Sequence, residues 1–156
     1  MYFIANWKMF GNSNSIKSIN PIIRLSKLKK YQKAKIIYCP PYTIIKEFFQ
    51  KTKKTRISVG AQNCHEEFNY GYFTGSINSK MIRSTGCEYI ILGHSENRKK
   101  GDTDIIINKK IKSALKSKLK VIFCIGENLK EKRDGKTNQV IKTQISKGLH
   151  NIKNIK

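Results

Sequence analysis

Three polar signatures each follow a short apolar, β-branched run: Asn6-Trp7-Lys8, Gly93-His94-Ser95-Glu96 and Cys124-Ile125-Gly126-Glu127. Together they offer a lysine, a histidine and two glutamates, the side chains of charge stabilisation and general acid–base chemistry. Taken singly, each has a plainer explanation. A lone histidine after a strand is ordinarily a loop residue, Lys8 is one lysine among many, and Trp7 is as well suited to packing as to function. Their common placement makes them a set, because a barrel of alternating strands and helices keeps its chemistry on the loops at the C-terminal face of its strands.

The elements that must carry those loops are legible from periodicity. Apolar, β-rich runs occur at Tyr2–Ala5, Lys35–Cys39, Ile57–Gly60, Glu88–Leu92 and Lys118–Ile125. They are nearly continuous rather than alternating, the pattern of strands buried on both faces. Between them lie helical stripes: Ile107, Ile111, Ala114 and Leu115, then Ile141, Ile145, Gly148, Leu149 and Ile152. Asp102 or Thr103 is placed to cap the first stripe and Thr137 the second. Pro21 falls inside the first helical stretch, Ile16–Lys29. That helix must either kink or start late, with Asn20 as cap and Pro21 in its first position. Strands alternating with helices imply βαβ units and a parallel sheet of about five units, an α/β fold. Right-handed crossovers are expected. The stretch Gln62–Ser76 is a long loop, and loops that long inside compact domains are usually functional. No low-complexity linker divides the chain, so residues 1–156 read as a single domain.

Composition narrows the function classes. Thirty-two Lys and Arg against ten Asp and Glu give a net charge of +22, which on its own suggests a polyanion partner. The charge is spread along the chain, however, is mostly lysine, and accompanies abundant Ile and Asn, as an AT-rich coding sequence produces. No recognition motif goes with it, so a dedicated nucleic-acid function is not expected. Nor is a membrane role: no run approaches the roughly 18 apolar residues of a spanning helix, and the N-terminus lacks a basic leader. The cytoplasm is the default. Cys39, Cys64, Cys87 and Cys124 form no C-x-x-C pair and no zinc-like spacing with histidine. They read as reduced structural thiols, with no metal and no cofactor implied.

The motifs, taken in order, resemble the triosephosphate isomerase family. The matching segments are Ala5-Asn6-Trp7-Lys8-Met9, Val59-Gly60-Ala61-Gln62-Asn63, Gly71-Tyr72-Phe73-Thr74-Gly75, Glu88 to Glu96, Cys124-Ile125-Gly126-Glu127 and Arg133-Asp134-Gly135-Lys136-Thr137. One tetrapeptide would be weak; six in order and at the right spacing are specific. The resemblance implies the TIM (β/α)₈ barrel and the interconversion of dihydroxyacetone phosphate and glyceraldehyde 3-phosphate through an enediolate, without cofactor or metal. It implies substrate-binding roles for Asn6 and Lys8 and catalytic roles for His94, Lys8 and Glu96. His94 would be the electrophile, a neutral imidazole that donates a hydrogen bond, and Glu96 would pair with Lys8. Thr74 would sit at the tip of a loop that enters a partner subunit, making the protein a homo-oligomer. The partner molecule is a small phosphorylated triose.

The resemblance covers the whole of this chain but only the first three-fifths or so of a family chain. The expected fold is therefore an incomplete barrel with open edges at Tyr2–Ala5 and Lys118–Ile125. Nothing in the sequence matches the family's Tyr-Glu-Pro-Val-Trp-Ala-like segment, which carries the general base, or its later phosphate-binding loops. These 156 residues alone are accordingly expected to be inactive. The alternative is a non-catalytic partial barrel that binds another chain. Two smaller departures are Asn97, where the family usually has arginine, and Lys99–Asp104, about one residue short. Both bring the ion pairing of that loop into question.

Overall fold

The computed structural model describes residues 1–153. It contains five strands, β1 (Tyr2–Asn6), β2 (Lys35–Cys39), β3 (Ile57–Ala61), β4 (Tyr89–Leu92) and β5 (Lys120–Phe123), in one sheet of sequential order, every neighbour parallel. The sheet curls into a half-barrel, an incomplete TIM barrel. Among the described residues β1 pairs only with β2, and β5 only with β4. All five apolar runs of the sequence became strands, and the fifth is shorter than its run. The helices are α1 (Asn20–Ser26), α2 (Ile45–Thr52), α3 (Ser79–Ser84), α4 (Ser95–Lys99), α5 (Asp104–Lys116), α6 (Leu129–Arg133) and α7 (Thr137–Gly148).

The period of two along each strand divides the core between two faces. On the helix side, Val59, Ala61, Ile90 and Leu92 pack with Phe48, Ile82, Ile107 and Ile111. On the other side, Ile37, Cys39, Tyr89 and Ile91 form a smaller cluster with Ile122 and Cys124. Phe48 is fully buried and stacks on Tyr38 at 5.7 Å, while Trp7 meets it edge-on at 5.6 Å. Trp7 is thus a packing residue that pins the loop after β1 to α2.

Several local expectations need correction. β4 is buried throughout, but β1 is not: Tyr2, Phe3 and Ile4 are 62%, 52% and 43% exposed. A strand with a neighbour on one side only, and little helix over it, stays wet whatever its sequence. Pro21 does start a helix late, within α1, but the residue preceding that helix is Ile19, not Asn20 as cap. A 3₁₀ stretch, Ser13–Ile19, comes first and is capped by Asn12. Thr103, rather than Asp102, caps α5 by accepting the Ile106 N–H. Thr137 caps nothing: its hydroxyl donates to Glu127 Oε1 at 3.2 Å, and it is the first residue of α7. The short α6 was not anticipated. It rests on a capping box in which Asn128 and Glu131 satisfy each other's backbone N–H groups.

Beside β1 lies an apolar groove of about 330 Å³, lined by Phe3, Ile4, Ile22, Leu25, Tyr31 and Tyr38 among others. An apolar strand edge beside an apolar groove is a template for association. The net charge opposes it, and salt screens that charge within about 10 Å at 0.1 M. The 156-residue polypeptide is therefore expected to self-associate increasingly as salt rises. Light scattering across a salt series measures this, and a monomer melting cooperatively at both extremes is the opposite result.

Candidate active site

Parallel register places the loops after β1, β2, β3, β4 and β5 at one end of the sheet. Asn6 pairs with Cys39, Ala61 with Ile90, and Leu92 with Phe123. At that end a cleft of about 230 Å³ is lined by Asn6, Lys8, Tyr42, Gln62, His94 and Glu96 among others. Asn6, Lys8, His94 and Glu96 are thus brought together. Thr74 is not among the lining residues; it stands exposed in the long loop between β3 and α3, beside Gly75.

Lys8 has a backbone φ of 53°, a left-handed conformation that costs a non-glycine residue about 1–3 kcal/mol and persists where neighbours over-determine it. Four hydrogen bonds do so here. The Lys8 N–H donates to Asn6 Oδ1 at 2.9 Å, and the Lys8 carbonyl accepts from Gln62 Nε2 at 2.8 Å. The same Gln62 amide donates to the Cys39 carbonyl at 2.9 Å, which also accepts the Trp7 N–H at 3.1 Å. With its backbone held, Lys8 reaches across the sheet end, and Nζ lies 2.9 Å from Glu96 Oε1.

His94 precedes α4. Its Nδ1 accepts the Glu96 N–H at 3.3 Å. An accepting Nδ1 carries no proton, so this bond assigns the ring proton to Nε2, which remains the donor. Glu96 Oε2 lies 3.5 Å from the same Nδ1. The Glu96 carboxyl is lowered from its ordinary value of 4.5, first by the hydrogen bond from Lys8 and then by the charges of Lys8 and Lys100, with His94 acting in the same direction when protonated and desolvation acting the other way. A lysine ammonium held in place by a carboxylate, with an imidazole N–H donor beside it, can stabilise negative charge developing on a bound oxygen.

Sequence reading assigned no role to two residues that build this arrangement. Gln62 lay inside a recognised motif, but its contacts are with backbone carbonyls, which a sequence does not display. Arg98 was passed over in favour of its neighbour Asn97. Its Nε donates to the Gly93 carbonyl at 2.8 Å and its Nη1 to Asp104 Oδ1 at 2.6 Å. The shortened loop thus has ion pairs of its own: Arg98 with Asp104 at 2.6 Å, and Lys110 with Asp102 at 2.7 Å. The cysteines are free. Burial raises Cys39 and Cys64 to about 12 and Cys87 to about 11, and it raises Cys124 as well. Such thiols are poor nucleophiles, which fits core packing. Among the described residues no His, Cys, Asp and Glu cluster could hold a metal, and no helix is long and apolar enough to cross a membrane.

Glu96 offers a direct check on this geometry. Its depressed carboxyl stabilises the fold fully above the ordinary carboxylate value, and that contribution is lost as pH falls through the lowered one. In Lys8→Met the carbon-13 carboxyl titration of Glu96 should move up toward the ordinary value, with Glu96→Gln identifying the signal. An unchanged midpoint would mean that the two side chains do not meet in solution.

Comparison with known proteins matches this geometry to a family. The family model described as triosephosphate isomerase matches residues 1–156. A triosephosphate isomerase of Dictyoglomus thermophilum is 41% identical over 150 residues, covering 95% of this chain and 59% of that protein. The Moorella thermoacetica enzyme is 36% identical over 149 residues, with the same coverage of each. The solved structure of triosephosphate isomerase from Bartonella henselae superposes with a TM-score of 0.88 at 31% identity, over 97% of this chain and 62% of that one. The chain spans about three-fifths of the length of the curated relatives it matches. With a family model matched over its whole length, relatives above 30% identity and a shared fold, the chain belongs to the triosephosphate isomerase family.

Proposed function

We propose that residues 1–156 carry the electrophilic half of a triose phosphate isomerase site. The observation that carries this reading is the Lys8 Nζ–Glu96 Oε1 contact of 2.9 Å beside His94, in an open cleft at the strand ends. In the proposed roles, Lys8 and Asn6 bind the phosphorylated triose. Lys8 supplies positive charge toward the enediolate oxygens, and Glu96 holds its ammonium in place. His94 donates from Nε2 to the substrate carbonyl as the proton moves between adjacent carbons. The reaction places the protein in glycolysis and gluconeogenesis in the cytoplasm. Thr74, on its exposed loop, fits contact with a second subunit in a homodimer.

The general base is a separate matter. Nothing in the 156 residues matches the family's glutamate segment, and such a group contributes about 10²–10⁴-fold. Losing remote phosphate contacts removes further transition-state binding. The 156-residue polypeptide is expected to show no isomerase turnover above a catalysis-free control in a coupled assay for glyceraldehyde 3-phosphate. Robust turnover abolished by His94→Ala would mean that another carboxylate, Glu127 or Glu96, serves as base.

A further inference from the structure

The helix that carries Glu96 has little to hold it. α4 is five residues long and none of them is buried, so apolar packing cannot set its position, and a single turn is not stable by itself. Glu96 is itself half exposed. Yet the Lys8–Glu96 contact, between residues 88 positions apart, requires α4 to stand at a defined place above the sheet.

Arg98, in the same turn, makes contacts of a different kind. Its side chain is 18% exposed, as is that of Asp104. The guanidinium reaches three elements at once: the Gly93 carbonyl at the end of β4 at 2.8 Å, Asp104 Oδ1 in the first turn of α5 at 2.6 Å, and the Cys124 carbonyl just past β5 at 3.4 Å. The planar fork of arginine suits such divergent acceptors, and a lysine has no equivalent geometry. Gly93 is the hinge that these bonds fix. Its φ is 78°, and a Cβ there would lie 2.7 Å from the Cys124 carbonyl oxygen. The peptide leading into His94 is therefore held between the β5 end on one side and the guanidinium on the other. The other hydrogen bonds from α4 to the loop before α5 are backbone ones within that same turn: the Lys100 and Asp102 N–H groups donate to the Asn97 carbonyl at 3.0 and 3.1 Å, and the Gly101 N–H donates to the Arg98 carbonyl at 3.1 Å.

We propose that Arg98 is the positioning residue of this cleft: its guanidinium seats α4 against the ends of β4 and β5 and the start of α5, and so places His94 and Glu96 opposite Lys8. The inference rests on the isomerase reading for its functional meaning, but its geometry is independent of turnover. Arg98 touches no substrate in this scheme. It acts through the Gly93 carbonyl and through the helix that bears Glu96.

The Glu96 carboxyl provides the readout. The groups that lower its titration are Lys8, His94 and Lys100; because Arg98→Lys retains the charge at position 98, a shift in that variant reports displacement of the helix. Arg98→Lys keeps the charge and loses the fork, Arg98→Met loses both, and Asp104→Asn loosens the fork at its strongest contact. In folded Arg98→Lys and Arg98→Met, the Glu96 midpoint should rise by most of the difference separating the native chain from Lys8→Met. Asp104→Asn should give a smaller rise. A native midpoint in folded Arg98→Lys and Arg98→Met overturns the proposal. If circular dichroism shows Arg98→Met unfolded, Arg98→Lys and Asp104→Asn decide. Loss of the fold in all three assigns Arg98 to global stability and also overturns it. Absence of turnover in any variant bears on the isomerase reading and leaves this result standing.

Discussion

Lys8 and Glu96 are 88 positions apart in sequence, and their side chains meet at 2.9 Å. That contact depends on a chain of conditions. Strands β1 to β4 must be parallel and adjacent, so that every following loop emerges at one end. Lys8 must hold its left-handed backbone, which Asn6 and Gln62 secure from opposite sides. The turn carrying Glu96 must stay in place although nothing in it is buried. The exposed ion pair itself contributes little, since solvent and salt screen such pairs. It is a consequence of the fold's geometry rather than its cause, and it orients an ammonium that would otherwise sample several rotamers.

Much of this was legible in the sequence because it rests on local rules. Parallel strands need nearly continuous apolar runs, and all five strands were found from such runs. The motifs after β1 and β4 announced themselves because a lysine, a histidine and a glutamate recur at the same place, directly after apolar runs. Pro21 marked a helix start, since its missing N–H is tolerated there. Thr103 was identified among the cap candidates from its place just before an apolar stripe.

The remainder depended on contacts that no local pattern carries. The exposure of β1 follows from its place at the sheet edge, not from Tyr2, Phe3 and Ile4, which look like core. Thr137 reads as a cap, but Glu127 takes its hydroxyl. Trp7 sits between two recognised polar residues and is committed to an aromatic cluster with Tyr38 and Phe48. Gln62 and Arg98 act mainly on backbone carbonyls, whose positions exist only after the sheet has formed. The charge of +22 proved similarly indirect: where lysine matters here, at Lys8 and Lys110, it is paired with a carboxylate.

The most direct measurement joins residues 1–153 of this chain to the part of the Dictyoglomus thermophilum relative that lies beyond its matched region, and assays isomerisation. If these loops are the electrophilic half of the site, the chimera turns over, and His94→Ala reduces kcat by about 10²–10⁴-fold, with Lys8→Met also severely impaired. A folded chimera without turnover, or one indifferent to both substitutions, would contradict that assignment.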